Sequence, residues 1–190
     1  AQIYIKRGFS TLRFNFRGVG RSQGTYSRGE GELTDAAAAL DWLQTLKPDA
    51  KNVWVAGFSF GAWIGMQLLM RRPEIGGFIS VSPPANMYDF SFLAPCPSSG
   101  LIIHGDADEI VPQEAVLRLV DKLSLQKGIV IDYENIEGAG HVFMKDLEMM
   151  LGRVAVYVDR RLEDEALLLA PPEEEAEEAE GDADEASTAK

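Results

Sequence analysis

The sequence predicts an α/β domain built on a mainly parallel sheet, and three observations carry that expectation. Short strand-like runs alternate with helix-length stretches along residues 10–162, the pattern of parallel strands joined by crossover helices. The run Val53-Trp54-Val55-Ala56 passes through Gly57-Phe58-Ser59-Phe60-Gly61 straight into the helix-like residues 62–70. That is a strand, a tight turn with serine at its apex, and a helix. Finally, 190 residues with 46% apolar content suit one domain with a core of its own.

Each element has its own signal. Residues 1–7 read as the end of a helix stopped by Gly8. Over 10–16, Leu12, Phe14 and Phe16 alternate with Thr11, Arg13 and Asn15, which predicts a strand. A glycine-rich loop follows over 18–31. Residues 30–46 begin with acids, contain an alanine run and stop before Pro48, so a helix is expected there. Residues 52–56 form the strand entering the turn, and the helix leaving it runs to about 72. A strand at 77–82 leads into a loop carrying Pro83, Pro84, Pro95 and Pro97, then a buried-type strand at 101–104. A helix over 113–126 places Val116, Leu119, Val120 and Leu123 on one face. A strand at 128–136 and a final helix over 142–162 complete the domain, with no internal repeat.

The net charge of −12 is unevenly spread. Residues 163–190 hold 12 acids and one lysine, whereas residues 1–162 hold 18 acids and 17 bases. The body is therefore almost neutral and lacks the basic stripe of a nucleic-acid binder. The alanine-rich acidic tail, 163–190, has too little apolar surface to offset chain entropy and is expected to be disordered. No apolar run approaches the roughly 20 residues of a membrane span, and the start has no signal-peptide layout. A single cysteine, Cys96, excludes an internal disulfide and fits a reducing, cytoplasmic compartment. No metal or organic cofactor is expected, since cysteines and histidines at ligand spacing are missing.

Ser59 is the candidate nucleophile. Glycines at 57 and 61 permit the turn, because a side chain at either place is expected to collide with the neighbouring strand and helix. A serine hydroxyl needs a base, and the chain has only two histidines. His141, in the flexible Gly138-Ala139-Gly140-His141 loop, is the expected base; His104, at a strand end, is expected to fix the following loop by hydrogen bonding. The base needs an acid to hold its tautomer, and the loop after His104 offers three: Asp106, Asp108 and Glu109. The Phe60 N–H, at the start of the helix after the nucleophile, is a candidate oxyanion donor. Phe58, Phe60 and Trp63 are expected to pack. Tyr88, Phe90 and Phe92 either rim an acyl pocket or pack over the sheet edge. Arg17 and Arg21 either anchor an anionic group or pair with Glu30, Glu32 or Asp35.

Taken together, Gly57-Phe58-Ser59-Phe60-Gly61, His104-Gly105-x-x-Asp108-x-x-Val111-Pro112 and Gly140-His141 resemble the α/β-hydrolase superfamily over residues 1–162. The segment Arg13-Phe14-Asn15-Phe16-Arg17-Gly18-Val19-Gly20-Arg21-Ser22 resembles its arginine–glycine loop. The likeness is greatest to small, lidless bacterial members allied to dienelactone hydrolases and short-chain esterases. It implies an α/β-hydrolase-type, mainly parallel sheet with helices on both faces, and assigns the acid to Asp108. It further implies a serine hydrolase acting on a small carboxylic ester or thioester through an acyl-enzyme, with a catalytically impaired binding scaffold as the alternative. The same resemblance implies additional strands before residue 10, one lying between the 10–16 and 52–56 strands, and a second oxyanion donor from a loop among them. The sequence as given contains none of these and has no initiator methionine, so it is expected to be N-terminally truncated. The two strands flanking the vacancy are then expected to pair directly, or to admit another chain as in a homo-oligomer, or to leave the product poorly folded and weakly active.

Overall fold

The computed structural model describes residues 1–169, with side chains described through 166. They fall into two compact units, one spanning Ala1–Ala155 and one beginning at Val156. The strands, the core and the candidate site belong to the first.

The sheet has four parallel strands: β1 (Val53–Phe58), β2 (Ile75–Val81), β3 (Gly100–Gly105) and β4 (Ile131–Ile136), in spatial order β1-β2-β3-β4. Parallel neighbours need long crossovers. Helix α3 (Phe60–Arg71) joins β1 to β2, helix α4 (Gln113–Ser124) joins β3 to β4, and the proline-rich loop joins β2 to β3. Helix α2 (Glu30–Leu46) packs on α3, and a short α1 (Gln2–Ile5) opens the chain. The α2 entry is fixed by Glu32, whose buried carboxylate accepts the N–H groups of Ser27 and Gly29, each at 2.8 Å. A carboxylate there satisfies backbone donors that a helix start leaves unpaired.

One core cluster unites α2, α3, α4 and alternate strand positions, with Leu33, Leu40, Ile64, Leu69, Ile102 and Val116 among its members. Leu101 and Ile103 flank Ile102, lie outside that cluster and are equally inaccessible, so β3 is covered on both faces. The expected apolar face of α4 is buried at Val116, Leu119, Val120 and Leu123. Each fully buried aliphatic or aromatic side chain contributes about 1.5–3 kcal/mol.

Three expectations need correction. Residues 10–16 do not form a strand; they run without a ladder. Their alternating pattern is real, but among the described residues β1 pairs only with β2, so the two segments do not bond directly. A cavity of about 390 Å³ lies along β1, lined by Leu12, Phe14 and Phe16 on one side and by Val53, Val55 and Gly57 on another. The last helix, α5 (Leu147–Leu169), starts later and ends later than 142–162. It cannot start at 142 because Phe143 takes φ +52°, outside the helical region. The helix thus takes in residues 163–169 of the expected acidic tail; residues 170–190 lie outside the described residues. Finally, only one of the two turn glycines is sterically required, as shown below.

Candidate active site

Parallel strands deliver their following loops to one edge of the sheet, outside the carboxyl ends of the strands. The turn after β1 carries Ser59, the loop after β3 carries Asp108, and the loop after β4 carries His141. Ser59 sits between β1 and α3 at φ +49° and ψ −120°, a conformation rare for a residue with a side chain. Its N–H donates to the Val81 carbonyl at 2.8 Å, and its carbonyl accepts the Ala62 N–H at 2.8 Å. A Cβ at Gly57 would overlap the Gly61 carbonyl and approach the Ala62 Cα to 2.6 Å, so glycine is required there. At Gly61 nothing lies within 4 Å of such an atom, contrary to the expected collision, because Gly61 borders the cavity beside β1.

The three side chains form one hydrogen-bonded chain. His141 Nε2 lies 2.9 Å from Ser59 Oγ, and His141 Nδ1 lies 2.7 Å from Asp108 Oδ2. A carboxylate only accepts, so Nδ1 carries the proton and the bare Nε2 faces the serine hydroxyl. Asp108 Oδ1 accepts the N–H groups of Ile110 at 2.8 Å and Val111 at 2.9 Å. Burial pushes the Asp108 pKa up, but the Val111 N–H, the His141 ring and the Ile110 N–H outweigh it. The pKa therefore lies below the ordinary aspartate value, and the carboxylate stays charged.

The other two acids stand apart from the imidazole. Asp106 accepts the Gly138 N–H at 2.6 Å and the Asn135 side-chain amide at 3.1 Å, tying the start of the histidine loop to the β3 loop. No sequence pattern marked that tie, although an Asp opposite a glycine-rich loop was its available signal. Glu109 is exposed. His104 is fully buried and its Nε2–H donates to the Val111 carbonyl at 3.0 Å, which fixes the loop holding Asp108. Its Nδ1 has no hydrogen-bond partner and lies 3.8 Å from Asp108 Oδ2. Burial lowers the His104 pKa despite the Asp108 charge, so the ring is held neutral.

Phe60 opens α3, where backbone N–H groups have no acceptor within the helix. Its ring packs among Phe16, Tyr26, Trp63 and Tyr88, at centroid distances of 5.8–5.9 Å. The Phe58 ring lies 5.2 Å from the His141 ring. Phe90 is in the core and stacks on Phe92, so these two pack rather than rim a pocket. Arg17 is held by Asp35 through Nη2–Oδ1 at 2.7 Å and Nε–Oδ2 at 3.1 Å, the structural alternative. Among the described residues no three His, Cys, Asp or Glu side chains are grouped to hold a metal ion. No described helix is long and apolar enough to cross a membrane.

The chain is similar to several known proteins. Residues 1–111 match the sequence model of the X-Pro dipeptidyl-peptidase (S15) family. An uncharacterised protein of Rickettsia prowazekii is 56% identical over 146 residues, covering 75% of this chain and 61% of that protein; the chain thus spans less than two thirds of that relative's length. An α/β-hydrolase-type protein of unknown function from Agrobacterium tumefaciens is 60% identical, with a TM-score of 0.85 over 90% of this chain and 78% of that one. An α/β serine hydrolase without a lid from Xanthomonas campestris is 35% identical, with a TM-score of 0.71 over 84% of this chain and 67% of that one. With a parallel sheet, a strained serine turn and these matches, the chain belongs to the α/β serine hydrolases, in the part of that superfamily whose sequence model carries the S15 description.

Proposed function

We propose that the protein is a serine hydrolase that cleaves a small carboxylic ester or thioester through an acyl-enzyme, with Ser59, His141 and Asp108 as its triad. The observation that carries this reading is the unbroken chain from Ser59 Oγ to His141 at 2.9 Å and from His141 to Asp108 at 2.7 Å. His141 Nε2 takes the serine proton as Oγ attacks the carbonyl carbon, and the imidazolium is stabilised by Asp108. The Phe60 N–H donates to the developing oxyanion. His141 then returns the proton to the leaving alcohol or thiol, and water enters by the same route to release the acid. An ester or thioester is the substrate class of this reading, and the matching S15 description makes an X-Pro peptide the competitor to test. A small molecule is therefore the expected partner, with a homo-oligomer as a further expectation.

One observation favours the second reading, a hydrolase-like scaffold with impaired chemistry. Residues 10–16 form no strand, and β1 is the end strand of the sheet among the described residues. A fluorophosphonate probe separates the two. Covalent labelling that disappears in Ser59→Ala is the expected result; a folded protein that does not label overturns the enzyme reading. Turnover of p-nitrophenyl acetate against an Ala-Pro p-nitroanilide then tests ester against X-Pro peptide chemistry, with faster ester cleavage expected.

A further inference from the structure

Strand β2 supplies none of the three triad residues, yet its end touches two of them. The Val81 carbonyl accepts the Ser59 N–H at 2.8 Å. The next residue, Ser82, donates its hydroxyl to the His141 carbonyl at 3.2 Å, and its own N–H donates to the Ile103 carbonyl at 2.8 Å. Ser82 is fully buried and takes φ +47°. Glycine adopts that conformation freely, whereas a residue with a Cβ is strained in it. If the backbone turn were all that mattered, glycine would serve better. What serine adds is a hydroxyl, and that hydroxyl is spent on the histidine loop.

Strain elsewhere points the same way. Of the four non-glycine residues with positive φ among the described residues, Ser59 and Ser82 are two, and Phe143, two positions after His141, is a third. Strained backbone persists where surrounding contacts over-determine it, and it gathers at functional sites. Phe143 is itself buried and accounts for one end of the histidine loop; Asp106, bonded to the Gly138 N–H, accounts for the other. The His141 peptide lies between these anchors, and Ser82 holds it there.

We propose that Ser82 is a positioning residue for the base: its hydroxyl pins the His141 carbonyl while Val81 pins the Ser59 N–H, so the last residue of β2 and the one that follows it set the separation of nucleophile and imidazole. The proposal rests on the triad reading above. It predicts that removing one hydroxyl, without touching a triad side chain, misaligns the 2.9 Å contact between His141 and Ser59. Misplacement on the order of 1 Å at such a contact lowers rate by about a hundredfold.

The test uses the full chain with Ser82→Gly and Ser82→Ala. Three quantities are read: the rate of fluorophosphonate labelling, the thermal midpoint, and the downfield proton resonance of the His141 Nδ1–H bonded to Asp108. Glycine relieves the backbone and alanine does not, but both lose the hydroxyl. The expected result is a labelling rate reduced about 10- to 100-fold in both variants and a shifted or broadened resonance in both. The midpoint should be unchanged or raised in Ser82→Gly and lowered in Ser82→Ala. A Ser82→Gly protein with unaltered rate and resonance overturns the proposal, as does a rate that follows the midpoint across the two variants. Should one variant fail to fold, the other is compared with the unsubstituted protein, and an unaltered rate and resonance there overturns the proposal. If the unsubstituted protein does not label at all, the triad reading fails, and the resonance still decides for or against Ser82.

Discussion

The Asp108 carboxylate and the Asp106 carboxylate sit two residues apart in one loop and do different work, because one is buried behind His141 and the other faces outward. Asp108 keeps its charge through two backbone N–H groups and the imidazole, and in return fixes which ring nitrogen carries the proton. Replacing it with asparagine removes that preference without removing bulk. Asp108→Asn is therefore expected to fold normally and to label with fluorophosphonate about 10³–10⁴-fold more slowly. Asp106→Asn is expected to label near the original rate, since Asp106 contacts the histidine loop and not the imidazole. Comparable losses in both would contradict the assignment. Spacing alone left Asp106, Asp108 and Glu109 all open, because a loop has no periodicity from which to read direction. Burial and a specific partner distinguish them, and both are properties of the folded chain. Ser82 was less legible still: a serine before two prolines marks a strand end but says nothing of a histidine 59 positions away.

At the level of elements, the strand–turn–helix unit around Ser59 has an asymmetry that the motif conceals. Gly57 has no room for a Cβ, whereas Gly61 faces open space at the cavity beside β1. Gly57→Ala is expected to destabilise by about 1–3 kcal/mol, as overpacking does, and to abolish labelling through displacement of the turn. Gly61→Ala, in the first turn of α3, is expected to hold or slightly raise the thermal midpoint, since alanine is the better helix former. Calorimetry on the two variants checks both directions, and an equal loss would refute the argument. The same cavity explains which elements the sequence could show. Residues 30–46, 113–124 and the strands at 53–58 and 131–136 carry periodicity that a neighbour in this chain satisfies, and they form nearly where expected. Residues 10–16 carry an equally clear alternation, but a strand exists only when something accepts its ladder bonds. Pattern specifies which face is apolar; it does not supply the partner.

For the molecule as a whole, pH should act through a few specific groups rather than through bulk charge. Residues 1–162 hold 18 acids and 17 bases, so acidification relieves little self-repulsion in the body. The first group to matter is His104. Burial lowers its pKa from the ordinary value of 6.5, so as pH falls through that value the unfolded chain takes up a proton that the folded chain refuses. Its contribution is complete above about pH 6.5 and declines as pH drops toward the lowered folded pKa. The second set are carboxylates with lowered pKa values: Asp35 held by Arg17, Glu74 held by Arg72, and Asp108, buried but held by Val111, His141 and Ile110. Their contributions are complete above the ordinary carboxylate range, near pH 4, and are lost as pH falls through their folded values. The thermal midpoint is accordingly expected to be level at neutral pH, to decline gently below about pH 6.5 and to fall steeply below about pH 4. His104→Gln keeps an amide donor for the Val111 carbonyl but has nothing to protonate, so it should flatten the first decline and leave the second in place. Scanning calorimetry of both proteins across that range reads the two stages separately. A midpoint that rises between pH 7 and pH 5, or a first decline that survives in His104→Gln, would show that some other group governs the acid response.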